Sequence, residues 1–382
     1  MDLTAGPVVA GIVLLAMAAV LAVPWTWDRW RWPRPARSAL VLLATAGVLL
    51  AAGAVVNRQA GFFPTVASLV SGQGAAVTVG QDGVLAALPL SAAAPDLSLV
   101  QARRLPGQGA VVRVQLTGSR TGLSRAGAVY LPAAYFDPAQ AQVRFPVVEV
   151  LSGSPGSPAQ TLHLLHLAET LDTSIAEHRA APMIVVVPDT NGSAVRDREC
   201  VDAAGGGTPD ETYLTADVQT FVGQRFRVQA PGRGWALLGT STGGYCAVNL
   251  VLRHPEAYAA AASLSGYFHA LTDVTTGDLF HGTALRQAND PTWRVQHLPL
   301  PPVALWLSAG TGEVRELTEL RGFAGLLPAA ADLTTVVVPR AGHAFPAWSA
   351  VLPQALGWAS SRLPPPSAPQ PPLSGQSSVA RL

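Results

Sequence analysis

One stretch of the chain, Leu237 to Tyr267, reads LLGTSTGGYCAVNLVLRHPEAYAAAASLSGY. It runs from apolar residues through a corner of small ones into a helical pattern. At that corner Gly239-Thr240-Ser241-Thr242-Gly243 holds one serine between two glycines, the G-x-S-x-G pattern. Such a turn after a strand and before a helix lifts a serine hydroxyl above a sheet edge. The helix starting there aims its N-terminal amides at a developing negative charge, and the N–H of Thr242 is one expected oxyanion donor. A bare G-x-S-x-G is also a common flexible turn. The strand pattern WALLG before it and the helix after it are what favour a nucleophile.

A serine needs a base, and the base needs an orienting acid. In the strand-turn-helix context of this motif the order along the chain is Ser, then Asp or Glu, then His. Of the histidines after Ser241, only His343, in PRAGHAFPAW, follows the last strand pattern. His254 sits in His-Pro at a helix end, and His269, His281 and His297 fall in a loop-like region. For the acid, the strand pattern VALWLSAG leads into TGEVRELTEL, so Glu313 is the first carboxylate beyond it. Glu316 is the reserve, Glu319 lies further along the same helix, and Asp332 precedes the final strand at the wrong end. The second oxyanion donor is expected in the loop after FPVVEVL, at Gly153 or Ser154, by position rather than by motif.

These residues need a scaffold, and the sequence offers one. FPVVEVLSG, APMIVVVPD, WALLG, AAAASLSGY, PPVALWLSAG and LTTVVVP are continuous apolar runs. They alternate with helical stretches at Pro158–Glu177, Tyr213–Arg225, Thr242–His254, Val314–Leu327 and Phe345–Leu363. That alternation predicts a mostly parallel sheet with helices on both faces. GAVVRVQLTG and GAVYLP add two short strands before it.

Hydrophobic residues make up 49% of the 382 and charged residues 13%, a balance that points to membrane segments. Val8–Val23 and Ala39–Val56 carry no charge, and with their flanks each approaches the ~20 residues that span a bilayer. A signal peptide is the alternative for the first, but MDLTAG lacks a basic start. The connecting PWTWDRWRWPRPARS holds four arginines and four tryptophans against one acid, which places it on the cytoplasmic side and everything after Val56 outside. In that oxidising space Cys200 and Cys246 could pair, or Cys246 could be a small core residue of its helix. The domains expected are 1–60 as two transmembrane helices, 61–104 as a linker, 105–363 as the catalytic domain and 364–382 as a proline-rich disordered tail. A net charge of +1 excludes a nucleic-acid partner, and two spans without buried charge offer no transport pathway.

GTSTGGYCAVNLVLRHPEAYAAAASLSGYF, LSAGTGE and GHAFPAW together resemble the putative esterase family of α/β-hydrolases. That family includes esterase D and the antigen 85 mycolyltransferases. The resemblance covers about Val111 to Leu363 and implies the α/β-hydrolase fold, no metal and no organic cofactor. It implies a nucleophile at Ser241, a Ser-Gly-aromatic turn at Ser265-Gly266-Tyr267, the acid at Glu313 and the base at His343. PDTNGSAVRDRECVDAAGGGTPDETYLTADV further resembles membrane-anchored actinobacterial members. The chain departs from the family at the oxyanion loop, where Leu151-Ser152-Gly153 stands in place of His-Gly, and it lacks the mycolyltransferase loop pattern. The function expected is a membrane-anchored extracytoplasmic serine esterase acting on acyl-ester or lipid substrates through an acyl-enzyme. The alternatives are an acyltransferase acting on an envelope sugar or alcohol, and a non-catalytic scaffold. Oligomeric state is left open.

Overall fold

A computed structural model describes residues 3, 5–27, 34–60, 105–193 and 196–368. The linker expected at 61–104, most of the Arg/Trp loop and the tail from 369 lie outside the described residues.

Helices α1 (Gly6–Trp27) and α2 (Arg34–Ala60) form a hairpin. Small residues let the pair close: Val9, Ala16, Ala44 and Ala51 are buried, and a Cβ built on Gly47 would meet the Ala16 backbone at 3.7 Å. Leu14, Leu15, Leu21, Leu42, Leu43, Leu49 and Leu50 face outward. Both helices are long and apolar enough to cross a membrane, over Gly6–Trp25 and Arg37–Val55.

The remaining elements build one eight-stranded sheet: β1 (Ala110–Thr117), β2 (Ser124–Leu131), β3 (Val147–Leu151), β4 (Ile184–Pro188), β5 (Gly232–Thr240), β6 (Tyr258–Leu264), β7 (Ala304–Gly310) and β8 (Leu333–Val338). The order is β1-β2-β4-β3-β5-β6-β7-β8. β1 and β2 are antiparallel, β2 runs antiparallel to β4, and all the other neighbours are parallel. This is the α/β-hydrolase architecture. β3, β4 and β7 are buried at every position, which explains why they are apolar apart from Glu149 in β3 and Ser308 in β7.

Two cores sandwich the sheet. One holds Phe145, Trp235, Tyr245 and Leu250 beneath α6 (Thr242–Arg253) and α9 (Val314–Leu326). The other holds Val148, Leu238, Trp306 and Leu352 beneath α3 (Pro158–Leu164), α4 (Leu167–Ala176) and α10 (Phe345–Arg362).

The structure differs locally from the sequence expectation. The helix expected over 158–177 is broken at His166, whose φ of 48° ends α3 and starts α4. The helix expected from Tyr213 begins at Asp210 and passes through a π-helical stretch, Tyr213–Val218, before ending at Arg225; together these form α5. The loop-like region contains two short helices, α7 (Thr283–Ala288) and α8 (Pro291–His297), and the Asp290 carboxylate caps α8 at the Trp293 amide. Past Leu363 the chain still pairs with the domain, Ser367 bridging Arg144.

Candidate active site

The corner after β5 forces Ser241 to φ 54°, ψ −123°. A non-glycine residue there costs of order 1–3 kcal/mol, and such strain persists only where the surroundings fix it. Here the Ser241 amide donates to Leu264 O at 2.9 Å, while Ser241 O accepts from Gly244 and Tyr245. The two glycines of the motif are compulsory. A Cβ on Gly239 would lie 2.0 Å from Gly243 O, and one on Gly243 would lie 2.1 Å from Leu151 O.

β7 and β8 deliver the other two groups. Glu313 follows β7 in a turn in which its amide donates to Gly310 O, and His343 follows β8. The two loops are stitched together by Thr311 N to Val338 O, Gly312 N to Ala341 O and Arg340 N to Thr311 Oγ1. The result is a relay: Ser241 Oγ lies 2.8 Å from His343 Nε2, and His343 Nδ1 lies 2.7 Å from Glu313 Oε1. With the carboxylate accepting from Nδ1–H, Nε2 is left to accept the serine proton. The His343 side chain is 38% exposed and that of Glu313 is buried, so the imidazole is open to solvent while the carboxylate is shielded.

The second oxygen of Glu313 is also occupied. It accepts from Ser265 Oγ at 2.9 Å and from the Gly310 amide, and Trp348 Nε1 donates to Ser265 Oγ. Burial pushes the Glu313 carboxyl up. The bonds from His343, Gly310 and Ser265 outweigh it, and the acid lies below the usual carboxylate range. Trp348 also meets the His343 ring edge-on, 5.1 Å between centroids.

Thr242 opens α6, and the first amides of a helix have no intrahelical acceptor. Gly153 sits against the serine: a Cβ there would be 3.1 Å from Ser241 Cβ. Ser154 is held by Asn191 Nδ2 through its hydroxyl. The candidate oxyanion loop and the start of α6 therefore flank one hydroxyl. Glu316, the reserve acid, has a carboxylate oxygen within 4.8 Å of ligand atoms of both Glu313 and His343, the one such acid-histidine grouping among the described residues. Glu313 and His343 are already committed to each other there, and Glu316 makes no bond in the relay.

The other histidines have different partners. His254 caps α6 and meets Glu211 and Glu256, His269 lies near Asp290 and Glu319, and His297 stacks on Trp293. Asp332 pairs with Arg362. Cys200 and Cys246 are joined in a disulfide. Sequence reading missed Asp197 and the link from Trp348 to the acid. Asp197 accepts from Thr242 Oγ1 at 2.7 Å across 45 residues of sequence, and no local pattern announces such a bond.

Residues 118–359 match the family model described as "Putative esterase". An uncharacterised protein of Corynebacterium glutamicum is 29% identical over 269 residues, 66% of this chain and 62% of that relative, so the match spans less than two thirds of the relative's length. A ferulic acid esterase structure aligns with a TM-score of 0.58 and 20% identity, over 67% of this chain and 99% of the other. An S-formylglutathione hydrolase from Agrobacterium tumefaciens aligns at 0.57 and 18%, over 68% and 98%. A fluorophosphonate-binding serine hydrolase of Staphylococcus aureus aligns at 0.54 and 17%, over 66% and 99%. Identities this low establish the shared fold.

Proposed function

Since this chain belongs to the "Putative esterase" family, we propose that it is a membrane-anchored serine esterase that cleaves acyl esters through an acyl-enzyme. The observation that carries this reading is the unbroken relay from Ser241 to His343 to Glu313. Ser241 Oγ attacks the ester carbonyl carbon while His343 Nε2 takes its proton. The Glu313 carboxylate holds the tautomer and stabilises the imidazolium. The amide of Thr242, with that of Gly153 or Ser154, receives the oxyanion. His343 then protonates the leaving alkoxide as the C–O bond breaks. Water attacks the acyl-enzyme by the same steps in reverse, and the acid product leaves.

Residues 1–60 serve as the anchor, 61–104 as the linker, the α/β domain as the enzyme and the segment past it as a tail. An arginine-rich connection between the two spans supports a cytoplasmic hairpin loop and an extracytoplasmic enzyme. The Cys200–Cys246 disulfide supports the same side, since such bonds persist in oxidising compartments. A fluorophosphonate probe tests the reading. Labelling of the native chain that vanishes in Ser241→Ala supports it, and folded protein that never labels refutes it in favour of a scaffold. A panel of p-nitrophenyl esters of graded acyl length then ranks the substrates.

A further inference from the structure

The segment Asp197–Cys200 holds no member of the relay, yet it touches three parts of the site. Asp197, Glu199 and Cys200 are buried, and Glu199 and Cys200 both adopt positive φ, 47° and 53°. Cys200 is bonded to Cys246 on α6, the helix that starts at the nucleophile. The Glu199 carboxyl accepts from Tyr267 Oη at 2.7 Å and from the Leu271 amide at 3.0 Å, holding the chain after the Ser265 turn.

Asp197 makes the connection closest to the chemistry. One of its oxygens accepts from Thr242 Oγ1 at 2.7 Å and the other from the Glu199 amide at 3.0 Å. Asp197 is tied to the loop after β3 through Asn191, whose Nδ2 donates to Ser154 Oγ at 3.2 Å and to Arg196 O at 2.6 Å and whose Oδ1 accepts from the Arg198 amide at 2.8 Å. The Asp197 amide donates to Thr275 O. The two hydroxyls held in this way, Thr242 Oγ1 by Asp197 and Ser154 Oγ by Asn191, belong to the start of α6 and to the loop after β3. These are the two segments assigned above to one oxyanion, and their separation must hold to within about 0.5 Å for both to reach it. A buried carboxyl among these donors is fixed in place, because each bond broken would leave a buried polar group unsatisfied.

We propose that Asp197 is a positioning residue of the ester-cleaving site, holding Thr242 directly and the Ser154 loop through Asn191, so that the two oxyanion-donor segments keep their spacing. This rests on the esterase reading. It acts through other residues and touches no reacting atom. Bracing by the disulfide and by Glu199 keeps the segment from drifting.

The test uses the full chain in detergent, with p-nitrophenyl acetate and a fluorophosphonate as probes. Asp197→Ala is expected to lower kcat about 10- to 100-fold with KM moved less than about threefold, the signature of a lost transition-state contact. Labelling of Ser241 slows by a similar factor. Asp197→Asn should recover activity to within about threefold of the parent. Its oxygen can accept from the Glu199 amide and its NH2 can donate to the Thr242 hydroxyl, which accepts as well as donates. Thr242→Val retains the amide and removes the hydroxyl, so Asp197→Ala combined with Thr242→Val should lose little more than Asp197→Ala alone. A parent-like kcat in Asp197→Ala overturns the proposal, as does an Asn variant as impaired as the Ala variant, or a double variant that loses the product of the single factors. A native chain that does not label sinks the esterase reading instead, which separates the two failures.

Discussion

Glu149 gives the sharpest test of how this sheet is built. It lies in the middle of β3, the strand that leads to the candidate oxyanion loop, and is fully buried. Oε2 accepts from Tyr258 Oη at 2.9 Å, while Oε1 has no hydrogen-bond partner. Burial raises this carboxyl from 4.5 to about 8, and the Tyr258 bond offsets only part of the rise. Between those values the unfolded chain has released the proton and the folded chain still holds it. Each rise in pH therefore favours unfolding, and the loss stops only above the folded value. At about 1.4 kcal/mol per pH unit, the gap between 4.5 and neutrality amounts to about 3 kcal/mol of stability lost by pH 7 relative to acid. Glu149→Gln keeps the shape and an acceptor for Tyr258 but carries no titrating proton. Urea unfolding of the detergent-solubilised chain, followed by tryptophan fluorescence at pH 5, 6, 7 and 8, would measure both proteins. The parent should lose stability with pH more steeply than the variant by about one proton, while Glu199, also raised to about 8, contributes equally to both and cancels. Parallel curves would show that Glu149 is not held protonated, and the account of β3 as a dry strand would fail.

Four other outcomes are expected. Ser241→Ala should lower ester hydrolysis by about 10⁴-fold or more with little change in folding, read by p-nitrophenyl acetate turnover and circular dichroism. Glu313→Gln should lower kcat by about 10³–10⁴-fold, because the amide would present a donor to groups that now donate to the carboxylate. Replacing Cys200 and Cys246 by serine opens a loop of 46 residues, and chain entropy sets the cost at about 4 kcal/mol, measurable as a lower urea midpoint. Arg125→Ala would leave Asp210, buried and bonded to that guanidinium, without its counter-charge, at about 3–5 kcal/mol by the same measurement.

Much of this architecture is legible along the chain, for a physical reason. Strands buried on both faces are apolar at nearly every position, so VVEVL and ALWLSAG stand out without any alignment although Glu149 and Ser308 interrupt them. The corner at Ser241 is visible because its close approaches admit only glycine on either side. Glu313 and His343 are found by their places after the last two strands, an argument about chain order that holds when strands are consecutive neighbours, as β6, β7 and β8 are. The strand crossing that sets β4 between β2 and β3 leaves no local trace, since pairing is a long-range choice. The break at His166 needs a left-handed residue that carries no glycine to mark it. Helix α8 was announced by Asp290 followed by Pro291, a capping signal that apolar periodicity alone overlooks. Asp197 and Glu199 sit in an irregular segment, where the meaning of a carboxyl depends on partners from distant turns.

The backbone at Ser241 carries an evolutionary consequence. Its left-handed φ of 54° suits glycine better than serine, so the position is one where the useful residue is not the comfortable one. Descendants relieved of selection for turnover would gain folding stability by drifting to glycine there. A relative with that single replacement and an otherwise intact β5–α6 corner would be recognisable as a retired enzyme.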